Sequence, residues 1–362
     1  MDVNRFDLIR LSLAGIVLVY HAFALSAVDP FAPIEHNLAL MSELAIQGFF
    51  IVSGALVYGS YERSRDVMDY AGKRIRRLYP AYLVVILVPT LIAVLGAITL
   101  PEAWGQVFRY LAANLVFLNF LEPSLPGLFE ANRTGAVNGA LWTLKIEVMF
   151  YLAVPVLAAV LSRLGRYWGL GIALMIIGAL AWREAMLTLD FAYSEQLARQ
   201  LPGQMMYFAI GMALWRLWDV ARTHAVTLFG IGVVCLTLSI LVPTLETLRV
   251  LGLAGVIAGV AFGPGPKLNA AAWGDISYGV YITHFPIVQA LVAAGVYAAL
   301  GFIGGLAVTV VLVFGSSYLL WWLVEKPALR RDSHYRKVSD KVSEAGVSID
   351  PRNRADGQPH TS

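Results

Sequence analysis

RLSLAGIVLVYH, residues 10–21, places ten uncharged and mostly apolar residues between an arginine and a histidine. Extended to 6–27, the run supplies the roughly 20 apolar residues that a bilayer-spanning helix needs. Ionisable side chains are costly in such a helix, and they usually face a bundle interior or a wet cavity. Eleven steps at about 3.6 residues per turn bring Arg10 and His21 onto one face, about 16 Å apart along the axis. Asp7, three residues earlier, is placed to pair with Arg10. The plain structural reading is an arginine reaching the membrane surface and a histidine bonded inside the core. Finding both on one face, with the histidine past the midplane, points to function instead.

The rest of the chain agrees with a membrane setting. Of 362 residues, 58% are hydrophobic and 14% are charged, with a mean hydropathy of +0.68. Soluble domains carry roughly 25% charged residues. The pattern predicts an all-α, polytopic integral membrane protein rather than the two soluble domains that length alone suggests. Candidate spans are 6–27, 42–60, 79–99, 141–161, 168–183, 203–218, 225–243, 249–264, 275–298 and 302–324. A re-entrant or half-buried reading is given to 107–121, because a full span there would invert every later basic loop. With the N-terminus inside, Arg63, Arg65, Lys73, Arg74, Arg76 and Arg77 fall in a cytoplasmic loop. Arg163, Arg166, Arg216, Arg222, Lys267, Lys326, Arg330 and Arg331 fall in later cytoplasmic segments, while Asp29, Glu35, Glu122, Glu130 and Glu246 fall outside. The expectation is about ten transmembrane helices and cytoplasmic termini. Residues 1–330 form the membrane domain, and 331–362 a polar, disordered cytoplasmic tail. Arg5 and the AFA at 22–24 imitate a signal peptide, but losing that helix would spoil the charge pattern, so it is read as retained.

Several chemistries are set aside. A single cysteine, Cys235, forms no intrachain disulfide and no thiolate metal site. The six histidines show no metal-ligand spacing, so no metal is expected. The net charge of +3 is small and concentrated in short loops, which gives no nucleic-acid footprint. Gly255, Gly259 and Gly263, four apart, mark a close-packing helix face. Oligomeric state stays open.

Four further stretches carry polar groups inside apolar spans. QGFFIVSG, 47–54, holds Ser53 and Gly54; the serine is read first as bonding its own backbone. KRIRRLYPAY, 73–82, either enforces topology, binds anionic lipid, or holds the phosphates of a nucleotide-bearing molecule through forked arginine bonds. LWTLKIEVMFY, 141–151, buries Glu147, which either is neutralised by Lys145 or serves as an acid or base. SYGVYITHFP, 277–286, puts His284 at mid-membrane beside Pro286, which frees a backbone carbonyl.

In this order, the stretches resemble acyltransferase family 3, membrane proteins that move acyl groups onto sugars and related acceptors. The resemblance covers about 1–330. It rests on Asp7, Arg10 and His21; Gly48, Phe49, Phe50, Ser53 and Gly54; Arg74, Arg77, Pro80 and Tyr82; Trp142, Leu144, Glu147, Phe150 and Tyr151; Ser277, Tyr278, Tyr281, His284 and Pro286; and Glu325 with Pro327. The chain departs from the family pattern at Leu8, Leu11, Ala55 and Val148, the last leaving one carboxylate where a pair is usual.

The resemblance implies an acetyl-CoA donor on the cytoplasmic side and an acceptor hydroxyl reached from the membrane or the outer face. It gives Arg10, Arg74, Arg77 and Tyr82 to the cofactor and His21 to general base catalysis. Glu147 and His284 are given to acceptor positioning or proton relay, and Trp142 and Tyr281 to the substrate. The implied partners are the bilayer and a glycan: O-antigen, an exopolysaccharide repeat or a lipid-linked sugar. Ser53 as a covalent acyl carrier lacks any base that the sequence places beside it. The rival readings are a proton-coupled transporter, for which no inverted repeat is visible, and a scaffold of an export complex.

Overall fold

The computed structural model describes residues 5–26, 32–97, 101–189, 191–265 and 275–330; what the sequence predicts for Asp29, Lys267, Arg331 and the tail lies outside them. The described residues form helices α1 Phe6–Ser26, α2 Ala32–Glu62, α3 Val67–Ala97, α4 Pro101–Leu115, α5 Trp142–Leu164, α6 Trp168–Leu189, α7 Ser194–Ala198, α8 Leu201–Arg216, α9 Trp218–Thr223, α10 Ala225–Leu241, α11 Arg249–Phe262, α12 Ser277–Ala293, α13 Val296–Leu320 and α14 Lys326–Ala328. One wide π turn, Trp321–Glu325, joins the last two. Among the described residues the strand signal is one isolated bridge, Ser124 to Ala136.

Each of the ten expected spans is helical over its described residues, but among the described residues six helical segments are long and apolar enough to cross a membrane: Phe6–Ser26, Ile34–Glu62, Val67–Gly96, Gly139–Leu189, Pro243–Phe262 and Val296–Ala328. The fourth contains both α5 and α6. Helices α8, α10 and α12 stop at 16 or 17 residues. At α12 the cause is Gly295, whose left-handed φ of 72° turns the chain back into α13. The ambiguous stretch 107–121 divides in two. Helix α4 ends at Leu115, and Phe117 then takes a left-handed φ of 64°, which breaks the helix.

Between helices in lipid, packing of small residues replaces the hydrophobic drive. Helices α2 and α8 meet through Gly54 and Gly211. A Cβ on Gly54 would lie 2.2 Å from the Phe208 carbonyl oxygen, and one on Gly211 would lie 2.1 Å from that of Ile51. Both obstacles are backbone, so Gly54→Ala or Gly211→Ala must prise the helices apart. We expect either variant to lose about 2–4 kcal/mol of stability, read as a lower unfolding temperature in detergent. Gly59→Ala is the control for a yielding neighbour, because it meets a Trp215 side chain instead. Helices α10 and α11 pack the same way, with Gly252, Gly255 and Gly259 against Leu236, Gly232 and Phe229. Gly263 of the expected stripe caps α11 and meets its own Gly259 carbonyl, so the packing face runs one turn earlier than the sequence spacing suggests.

Charged residues segregate. At one end, Glu62 accepts from Trp215 and pairs with Arg216, and Arg330 pairs with Asp69. At the other, Arg133 pairs with Glu35 and donates to the Ala24 carbonyl. A quartet of Glu43, Arg183, Glu246 and Arg249 ties α2, α6 and α11 together.

Candidate active site

Two polar centres lie along α1, near its opposite ends. The lower one is ionic. Arg10 on α1 reaches Asp275, just before α12, at 2.5 Å. Arg77 on α3 donates to the same Asp275 oxygen with one nitrogen, and to Glu325 with the other at 2.7 Å. The second Asp275 oxygen accepts from the Ser277 hydroxyl at 2.6 Å. Both carboxylate side chains are 1% exposed, so two guanidinium groups and two carboxylates hold one another in near-complete burial. Asp7, expected to serve Arg10, is only half-buried a turn away, and the carboxylate that meets Arg10 comes from the other side of the bundle.

The upper centre is a histidine pair. His284 Nε2 and His21 Nδ1 are 3.0 Å apart, and His284 Nδ1 is 3.1 Å from the Val280 carbonyl. A carbonyl only accepts, so Nδ1 of His284 carries the proton. In a neutral imidazole the other nitrogen then accepts, so His21 donates through Nδ1. That leaves the lone pair of His21 on Nε2. His284 is fully enclosed while His21 is partly open, so the residue with the free lone pair is also the one with access. Pro286 leaves the Ile282 carbonyl without its helical donor, and Asn138 fills it from the loop before α5 at 2.8 Å.

Tyr281, one turn before His284, connects this pair to α5. Its hydroxyl lies 2.5 Å from Thr143, and its ring packs edge-on to Phe49 of α2. One turn along α5, Glu147 accepts from Ser53 at 3.3 Å and from Tyr151 at 2.5 Å. Thr143, Glu147 and Tyr151 therefore form a polar stripe on one helix face, ending where the Arg74 guanidinium sits 5.8 Å from the Tyr151 ring centre. Arg74 is half-buried, donates to Ser60 and keeps its Nε unpartnered.

Of the sequence-selected residues, the fold joins Arg10 with Arg77, and His21 with His284 and Tyr281; the stripe links Glu147 to Arg74. Lys145 does not take up Glu147. Residues two apart on a helix face different ways, and its amine sits over the Phe120 ring at 4.4 Å. Ser53 bonds across to α5 rather than to its own backbone. Two residues stand apart. The Tyr82 ring is buried against Phe117 with its hydroxyl on the Asn114 carbonyl. Trp142 is half-buried against the α2–α8 core. Sequence reading missed Asp275, Thr143 and Asn138. For Asp275 the sequence carries a signal, an acid at the mouth of the apolar span 275–298.

The chain is 28% identical over 353 aligned residues to "Nodulation protein 10" of Rhizobium leguminosarum bv. viciae, covering 90% of this chain and 93% of that one. It is 26% identical over 355 residues to "O-acetyl transferase" of Shigella phage Sf6, covering 91% and 97%. It is 26% identical over 298 residues to "Exopolysaccharide production protein ExoZ" of Rhizobium meliloti (strain 1021), covering 78% and 88%. No solved structure matches the chain. The acyltransferase domain that defines acyltransferase family 3 matches residues 3–324, which takes in the histidine pair, the stripe between the helices and all of the ionic centre except Glu325, and the chain belongs to that family of enzymes.

Proposed function

We propose that the protein is a membrane O-acyltransferase that moves an acetyl group from acetyl-CoA to a hydroxyl of a cell-surface or exported glycan. The observation that carries this reading is the bare Nε2 of His21, fixed by the relay from the Val280 carbonyl through His284. A neutral imidazole with an oriented lone pair suits a general base near neutral pH. Nε2 takes the acceptor hydroxyl proton as its oxygen attacks the thioester carbonyl. The C–S bond then breaks, and the leaving thiolate takes that proton back from the imidazolium. The acetyl group and the glycan acceptor follow from the names carried by the phage and exopolysaccharide relatives.

The donor enters from the basic end. Arg74, with an unpartnered Nε and a polar stripe leading away from it, suits a phosphate there better than Arg77, which spends two nitrogens on carboxylates. The bundle crosses a bacterial inner membrane ten times with both termini cytoplasmic, so that the basic end meets cytosolic donor. Arg74→Ala is expected to raise the donor KM about tenfold with kcat little changed, read in initial rates against acetyl-CoA concentration.

The deciding assay supplies radiolabelled acetyl-CoA to the purified protein with native membranes, and follows thioester loss and label in extracted glycolipid. Label transfer supports the proposal. Thioester left intact, with a second acyl-CoA also untouched, would bring the transporter reading forward.

A further inference from the structure

We infer that the Arg10–Asp275 ion pair is a register pin that seats His21 against His284, which makes Asp275 a positioning residue for the reaction proposed above and rests on that reading. Helices α1 and α12 run parallel, since Arg10 precedes His21 as Asp275 precedes His284, and both pairs touch. The chain climbs eleven residues between the ties on α1 and nine on the α12 side, about 16 Å and 13 Å of helical rise. The two helices are thus fastened at two levels roughly three turns apart.

Between those levels the contact is apolar: Ala14 and Leu18 pack with Val280 and Val313. Apolar surfaces in lipid have little preference among neighbouring registers. The histidine bond has such a preference, since a slip of one residue moves α1 by about 1.5 Å. That is enough to break a 3.0 Å contact between ring nitrogens. A directional bond at the far end of the same helix pair removes that freedom. Asp275 provides it: one oxygen takes both Arg10 and Arg77, and the other is held by Ser277 in the first turn of α12. Arg77 extends the tie to α3 and, through Glu325, to the end of α13. Burial of the Asp275 carboxylate stiffens the pin, because charges attract more strongly in a low-dielectric site than in water.

The test uses the full-length protein in nanodiscs, with Asp275→Asn as the main variant and unliganded CoA as the binding probe. The expected result is a fall in kcat of about 100-fold, the scale of a 1 Å misplacement at a reacting centre, with CoA affinity unchanged. Asp275→Glu, which keeps the charge on a longer arm, recovers part of the loss. If Asp275→Asn does not fold, Ser277→Ala decides: it leaves the charges and frees one carboxylate oxygen, and kcat falls about tenfold with CoA affinity again unchanged. Wild-type kcat in these variants overturns the pin. So does a loss lying wholly in CoA affinity, which would assign the cluster to donor binding. His21→Ala run alongside keeps the two ideas apart: if it transfers at the wild-type rate, the proposed reaction falls, whereas if His21 is required and Asp275→Asn is fully active, only the pin falls.

Discussion

His21→Ala loses acyl transfer by about 10³-fold, within the range for removing a general base, while still binding CoA. The relay explains why the loss should sit in kcat. Only His21 has both a bare ring nitrogen and access to the site, because His284 is enclosed and its Nε2 already accepts from His21. His21→Gln sharpens the test, since an amide can keep a hydrogen bond to His284 but has no basic nitrogen. It should be as inactive as the alanine variant and closer to wild type in unfolding temperature. His284→Ala removes the acceptor that orients His21 and should cost less, about 10²-fold, because the base survives in an unheld ring. Single-turnover rates at saturating acetyl-CoA check all three. Equal losses in all three, with unfolding temperatures that drop together, would mean that the pair is structural.

Arg77→Ala destabilises the bundle by about 3–5 kcal/mol, the scale of orphaning a buried charge. Glu325 is 1% exposed and Arg77 is its ion-pair partner, so the deletion leaves a carboxylate in a dry site. Asp275 retains Arg10, so the damage concentrates at Glu325. The double variant Arg77→Ala with Glu325→Gln should therefore be more stable than Arg77→Ala alone, which simple loss of packing does not predict. Arg77→Lys should fall between, because one ammonium does not reach two carboxylates in a fork. Thermal unfolding followed by size-exclusion fluorescence in detergent reads all three. A double variant no better than the single one would show that Glu325 sheds its charge or finds water when Arg77 is gone.

The departures from sequence expectation share a cause. Ser53 and Glu147 are 94 residues apart, and the sequence placed no base near that serine, yet the fold sets a carboxylate 3.3 Å away. Lys145 and Glu147 are neighbours in sequence and part company in space, because helical rotation sends them to different faces. Asp7 is the acid nearest Arg10 in sequence and lies close enough to feel its charge, yet the direct ion pair of Arg10 is with Asp275, 265 residues on. Pro286 is the converse: the carbonyl it frees was predictable from local geometry, but the side chain that fills it, Asn138, was not.

What is local was legible in the amino-acid order. Apolar length and helical period marked the helices and the shared face of Arg10 and His21, because each depends on residues within a few turns; the basic run at 73–77, expected in a loop, instead lies inside α3, which starts at Val67. The family resemblance was likewise carried by short motifs in order. Which faces meet emerges in the folded bundle: the histidine pair, 263 residues apart, the acid between two arginines, and the nitrogen of His21 left bare. The rotation and register of one helix against another depend on contacts, polar ties included, between residues far apart in sequence. A hydrogen bond tolerates only a few tenths of an ångström, so no local pattern specifies it.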